Sequence, residues 1–101
     1  MTKVADLSVI FIKENGARKD GSICVYAPYK GEDGVWRCPV SMEGIHSSLP
    51  DIQAADSLQS LTLAVALIKR IILKFQEKGG VVNILDNEGQ EHILESASYF
   101  F

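Results

Sequence analysis

The chain has 101 residues, 47% hydrophobic and 23% charged, which suits one folded core and excludes a disordered segment. Ten basic residues against thirteen acidic ones leave a formal charge of −3, the opposite sign to a phosphate-tracking surface, so nucleic-acid binding is disfavoured. Two cysteines, Cys24 and Cys38, are too few for a disulfide framework and lack metal-ligand spacing, so they read as reduced structural thiols with no metal.

The first apolar run, residues 7–12, is short for the core of a signal sequence. The longest apolar stretch is cut at Lys69-Arg70 before it could span a bilayer. A cytoplasmic location is therefore the expectation. Residues 7–13 are β-branched and aromatic at successive positions, which predicts a first strand covered on both faces and central in its sheet. Residues 15–21 read as a polar turn region.

Residues 22–29 and 35–43 predict a hairpin about Gly31-Glu32-Asp33-Gly34. If those four residues form the loop, Lys30 faces Val35. Ile23, Val25, Ala27 and Tyr29 then share an apolar face with Met42, Val40, Cys38 and Trp36. The other face carries Cys24, Tyr26, Pro28, Arg37, Pro39 and Ser41, so the two thiols diverge and do not bond. Pro39 and Pro50 remove backbone donors and belong near an edge or a bulge. Residues 45–55 read as loop with a short edge strand at 52–54.

Asp56-Ser57-Leu58-Gln59 is a helix start. Asp56 can accept from a first-turn amide, and Gln59 can reach back to the cap's own amide. The helix is predicted over 57–78, ending at Gly79-Gly80, where a left-handed residue terminates it. Its periodicity puts Leu61, Ala64, Val65, Leu67, Ile68, Ile71, Ile72 and Phe75 on the core side. Gln59, Thr62, Lys69, Arg70, Lys74 and Glu77 face away, interrupted by Leu63 and Leu73. Residues 81–85 and 90–94 predict a last hairpin about Asp86-Asn87-Glu88-Gly89, followed by a tail with Tyr99, Phe100 and Phe101. The expected fold is a single α+β domain over 1–101, an antiparallel sheet of five to six strands with one long helix across one face, in the order β-β-β-(β)-α-β-β.

No motif carries a catalytic or cofactor signal. Cys38 with His46 would need mutual reach and a third group to orient the imidazole, and a core-facing thiol is inert. His92 reads as a solvent-facing strand residue. Glu88, Glu91 and Glu95 line a hairpin without Lys or Arg, a solvated acidic face whose functional version is a patch for a basic partner. The glycines lie in turns and caps, and Asp56 at the helix entry repels phosphate, so no phosphate loop is present. Nucleic acid could use Tyr26 and Arg37, one ring and one cation on the outer sheet face, while the basic helix stripe Lys69, Arg70, Lys74 and Lys78 reads as the solvated side. Self-association has more behind it. Leu63, Leu73, Tyr99, Phe100 and Phe101 fall outside what one sheet face can cover, and a homodimer buries such a remainder most simply.

The strand Trp36-Arg37-Cys38-Pro39, then Gly44, then Asp56-Ser57-Leu58-Gln59-Ser60-Leu61-Thr62-Leu63-Ala64 resembles a family of small bacterial domains of unknown function. Their pattern is an aromatic-x-Cys-Pro strand and an Asp-Ser-Leu-Gln-Ala-Leu helix start, and Ser60 stands here in place of the alanine. The likeness implies an α+β fold in a bacterial cytoplasm and no established activity. The expected function is a non-enzymatic protein-interaction domain that self-associates, without cofactor, with Tyr26, Arg37, Tyr99, Phe100 and Phe101 as its partner-binding residues. The alternative is a small-ligand-binding domain or minor enzyme using a pocket between sheet and helix, with His46 at its rim.

Overall fold

The computed structural model describes residues 1–46, 49 and 52–95. Its elements are β1 (Lys3–Ile12), β2 (Arg18–Tyr26), β3 (Tyr29–Lys30), β4 (Trp36–Cys38), β5 (Val40–Glu43), β6 (Ile52–Ala54), α1 (Ser57–Glu77), β7 (Val81–Leu85) and β8 (Glu91–Ile93). They form an α+β fold. Five strands make one antiparallel sheet in the order β5-β2-β1-β7-β8, and three make a second in the order β3-β4-β6.

The apolar run of the first strand lies in the centre of the larger sheet, as its composition requires, but β1 starts at Lys3 rather than Leu7. The turn that follows is tighter than residues 15–21. Gly16 N–H donates to the Lys13 carbonyl (2.8 Å), Lys13 N–H donates to that of Ala17 (2.9 Å), and Asn15 Oδ1 accepts from Ala17 N–H (2.9 Å). That self-contained turn frees Arg18, Lys19 and Asp20 to pair as strand residues with Ile12, Phe11 and Ile10.

Two prolines split what the sequence presents as one long hairpin. The expected register holds between β2 and β5, where Ile23 pairs with Met42 and Val25 with Val40. Beyond it the ladder slips by one residue, so Tyr29 pairs with Arg37 and Lys30 with Trp36. Tyr26, Ala27 and Pro28 stand there against only Cys38 and Pro39, neither proline can donate to a ladder, and the strands turn out of the first sheet into the second. Tyr26 N–H still reaches the Pro39 carbonyl (3.0 Å) across the corner. The short strand at Ile52–Ala54 pairs with β4 and forms an edge of the smaller sheet.

Helix α1 is capped at both ends, with Asp56 and Gly79 in the expected roles and Gln59 reaching Ala55 rather than the amide of Asp56. Asp56 Oδ1 accepts from Gln59 N–H (2.7 Å), while Gln59 Oε1 accepts from the amide of Ala55 (2.9 Å), one residue before the cap. At the other end Gly79 has φ +90°, its amide donates to Gln76 and that of Gly80 donates to Phe75, the paired bonds of a Schellman ending. Gly80 also makes room for the Phe75 ring, which an added Cβ would meet at 2.5 Å. Ala64, Ile68 and Ile72 are buried against Val9, Phe11, Ile23, Val25, Cys38, Val40, Met42 and Val82, with Leu61, Leu67, Ile71 and Phe75 closing the margin. The buried Ser60 spends its hydroxyl on the Ser57 carbonyl (2.9 Å), which lets a polar residue stand where alanine would also fit. No described helix is long and apolar enough to cross a membrane.

Candidate functional site

Strand alternation assigns each side chain of the larger sheet to a face. Val9, Phe11, Ile23, Val25, Val82 and Ile84 face the helix. Ile10 and Ile12 of β1, Val81, Asn83 and Leu85 of β7, and Ile93 of β8 therefore point to the opposite face, with Ile12 paired to Val81, and Asn83 paired to both Ile10 and Ile93. Among the described residues no helix or sheet covers this outer face. Ile93 is 65% exposed and Val81 38%, an apolar patch on the side of the sheet away from the helix.

A polar strap crosses the patch. Arg18 Nη2 lies 2.6 Å from Glu91 Oε1, which also accepts from Asn83 Nδ2 at 2.9 Å. These bonds, first that of Asn83 and then that of Arg18, hold the Glu91 carboxyl below its ordinary pKa. Asn83 Oδ1 is buried beneath the strap and has no partner among the described residues. The terminal hairpin, read as acidic and lacking a cation, thus receives Arg18 from β2. His92 is exposed and hydrogen-bonds Asp86 Oδ2 (2.7 Å), which lowers the Asp86 pKa.

Tyr26 lies on the same outer face, half-buried on β2 opposite Lys3 and away from the isoleucines. Arg37 does not share a sheet with it. The one-residue slip moves Arg37 into the smaller sheet, where its guanidinium pairs with Asp33 (2.7 Å) and that bond pulls the Asp33 carboxyl down to about 2. Tyr26 and Arg37 therefore belong to different sheets. Tyr99, Phe100 and Phe101 lie outside the described residues. Leu63 and Leu73 are exposed on the helix, as their phase requires, at 42% and 40%.

His46 is exposed and stands between two open depressions. One, of about 430 Å³, is lined by Lys19, Glu43, Gly44, Ile45 and His46. The other, of about 390 Å³, lies against the helix and is lined by Ile45, His46, Ile71, Lys74, Phe75 and Lys78. No thiol joins them: Cys38 is fully buried and its Sγ donates to the Tyr26 carbonyl (3.2 Å). Cys24 is also buried, and no disulfide links the two. Among the described residues no group of three or more His, Cys, Asp or Glu side chains could hold a metal ion.

The sequence reading overlooked Ile12, Val81 and Ile93 as candidate interface residues. The signal was available in the first strand, apolar at successive positions and so needing cover on both faces. In comparisons with protein-family models, curated proteins and solved structures, nothing matches the chain.

Proposed function

We propose that this is a small, non-enzymatic bacterial protein-interaction domain that self-associates through the outer face of its five-stranded sheet. The observation that carries the reading is the apolar patch of Ile12, Val81 and Ile93 on a face the helix does not cover, with Val81 and Ile93 exposed and Ile10 buried beside them. Of the charges on this face, Arg18 and Glu91 neutralise each other over the patch, which leaves Asp20, paired with Ile10, as the acid at its margin. A two-fold dimer joins the same patch of both copies and needs no other partner.

Light scattering after gel filtration tests this. The full chain is expected at twice its 11.1 kDa mass, and Ile93→Asp at 11.1 kDa. Burying one isoleucine contributes about 1.5–3 kcal/mol and occurs twice across a two-fold axis, so the substitution weakens the dimer by about 3–6 kcal/mol, more than about a hundredfold. Ile93 is largely exposed in the single chain, so its loss leaves the fold intact. A wild-type chain that stays at 11.1 kDa at the highest attainable concentration, or an Ile93→Asp variant that still dimerises, overturns the reading.

A further inference from the structure

We infer that the depressions around His46 are a docking groove for an acidic segment of another protein that carries an aliphatic or aromatic anchor. The groove's floor is apolar and held in place. Phe75 is wedged edge-on against Phe11, with ring centroids 5.7 Å apart at 81°, its other side fills the space over Gly80, and Ile45 and Ile71 flank it. Its rim is basic. Among the described residues, Lys74 and Lys78 line the depression against the helix, and Lys19 lines the adjoining one together with one acid, Glu43, in a chain whose acids outnumber its bases thirteen to ten.

Among the described residues, the ion pairs Lys3–Asp6, Arg18–Glu91, Arg37–Asp33 and His92–Asp86 involve none of these three lysines. Lys74 and Lys78 do oppose the negative end of α1. Lys19 lies on a strand, has no such role, and lines the adjoining depression, which shares Ile45 and His46 with the one against the helix. An acidic ligand is repelled by most of this surface and attracted here, which steers it to one place. A nucleic acid is a poorer fit, because its backbone carries a charge every ~1.7 Å and needs a track of cations rather than three around an apolar floor. Both depressions are open, which suits an extended segment better than an enclosed small molecule. The groove lies on the helix side of the sheet, so this inference does not depend on the proposed dimer.

The test is fluorescence anisotropy of the full chain with a fluorescein-labelled, end-blocked peptide in which a Leu-Phe pair is flanked by glutamates. Saturable binding is expected, weakened at least about tenfold by K74E/K78E and by raising NaCl from about 50 mM to about 300 mM. A peptide with Gly-Gly in place of Leu-Phe is expected to bind at least about tenfold more weakly, the loss of one apolar anchor. Lys74 and Lys78 are exposed but oppose the negative end of α1. The double variant is therefore expected to melt several degrees lower while keeping its fold, checked by an unchanged far-UV circular dichroism spectrum at about 25 °C. No saturable binding, equal binding of a lysine-flanked peptide, indifference to K74E/K78E or to loss of the anchor, or tighter binding of a single-stranded oligonucleotide overturns the inference.

Discussion

Gly21 is where the packing tolerates least, and Gly21→Ala is expected to be among the most destabilising single-methyl additions in the chain. A Cβ there would sit 2.2 Å from the Glu43 carbonyl oxygen and 2.7 and 2.9 Å from two ring carbons of Phe11. Neither neighbour can yield cheaply. Glu43 is held in the rung that pairs it with Ser22, and Phe11 is 2% exposed with its ring set against Phe75. To restore ordinary contact, the edge strand β5 must withdraw by about 1 Å. Overpacking costs about 1–3 kcal/mol and a weakened ladder bond about 1 kcal/mol more, a total of about 2–4 kcal/mol. For a domain of this size that lowers the melting temperature by about 10–25 °C. Gly89→Ala is the control: its φ of +80° strains an alanine, but nothing lies within 4 Å, so about 1 kcal/mol and about 5 °C are expected. Far-UV circular dichroism during thermal and urea unfolding measures both. If Gly21→Ala melts as high as Gly89→Ala, the close approach of β2, β5 and Phe11 is not what this position requires.

Asp56→Ala removes the acceptor of the Gln59 amide and is expected to cost about 1 kcal/mol, a fall of about 4–8 °C in melting temperature. Arg37→Gln removes the bond that holds the Asp33 carboxyl at about 2, and an NMR titration should find that group returned toward 3.8. The sign of the linked effect follows. A depressed folded-state pKa gives stability that is fully present above 3.8 and fades as the pH falls toward about 2, so Arg37→Gln should flatten the stability profile across that window.

The elements legible in the sequence are those whose signals are local. The helix from Asp56 to Gly79 is written in a cap, a period and a terminating glycine, and it runs as read. The last hairpin is written in Asp86-Asn87-Glu88-Gly89 after the apolar run of residues 81–85, and β7 and β8 pair as expected. The inner half of the second hairpin also keeps its register, because one face is buried and a slip there would expose Ile23, Val25, Val40 and Met42 together. The outer half has no such constraint. The unequal lengths of Tyr26-Ala27-Pro28 and Cys38-Pro39 are invisible to alternation, and they shift Arg37 from the face of Tyr26 to a ladder with Tyr29. Pairings between distant segments were equally hidden: nothing in Arg18 or Glu91 alone announces that they meet across the sheet at 2.6 Å.

The two candidate surfaces face opposite ways, and that geometry ties them together. Ile10, Ile12, Val81 and Ile93 point away from the helix, whereas the His46 groove is built from the helix and the end of β5 beside it. A dimer closed through the outer face therefore leaves both grooves open, one on each side of the doubled sheet. A partner carrying two acidic segments on a linker long enough to span them would then bind each at the effective concentration set by that linker, about 10²–10⁴-fold more tightly than one segment alone. Ile93→Asp separates the effects: it should leave binding of a single peptide unchanged and abolish the gain from joining two. If the joined peptide keeps its advantage on a monomeric variant, the gain arises within one copy, and the outer face plays no part in it.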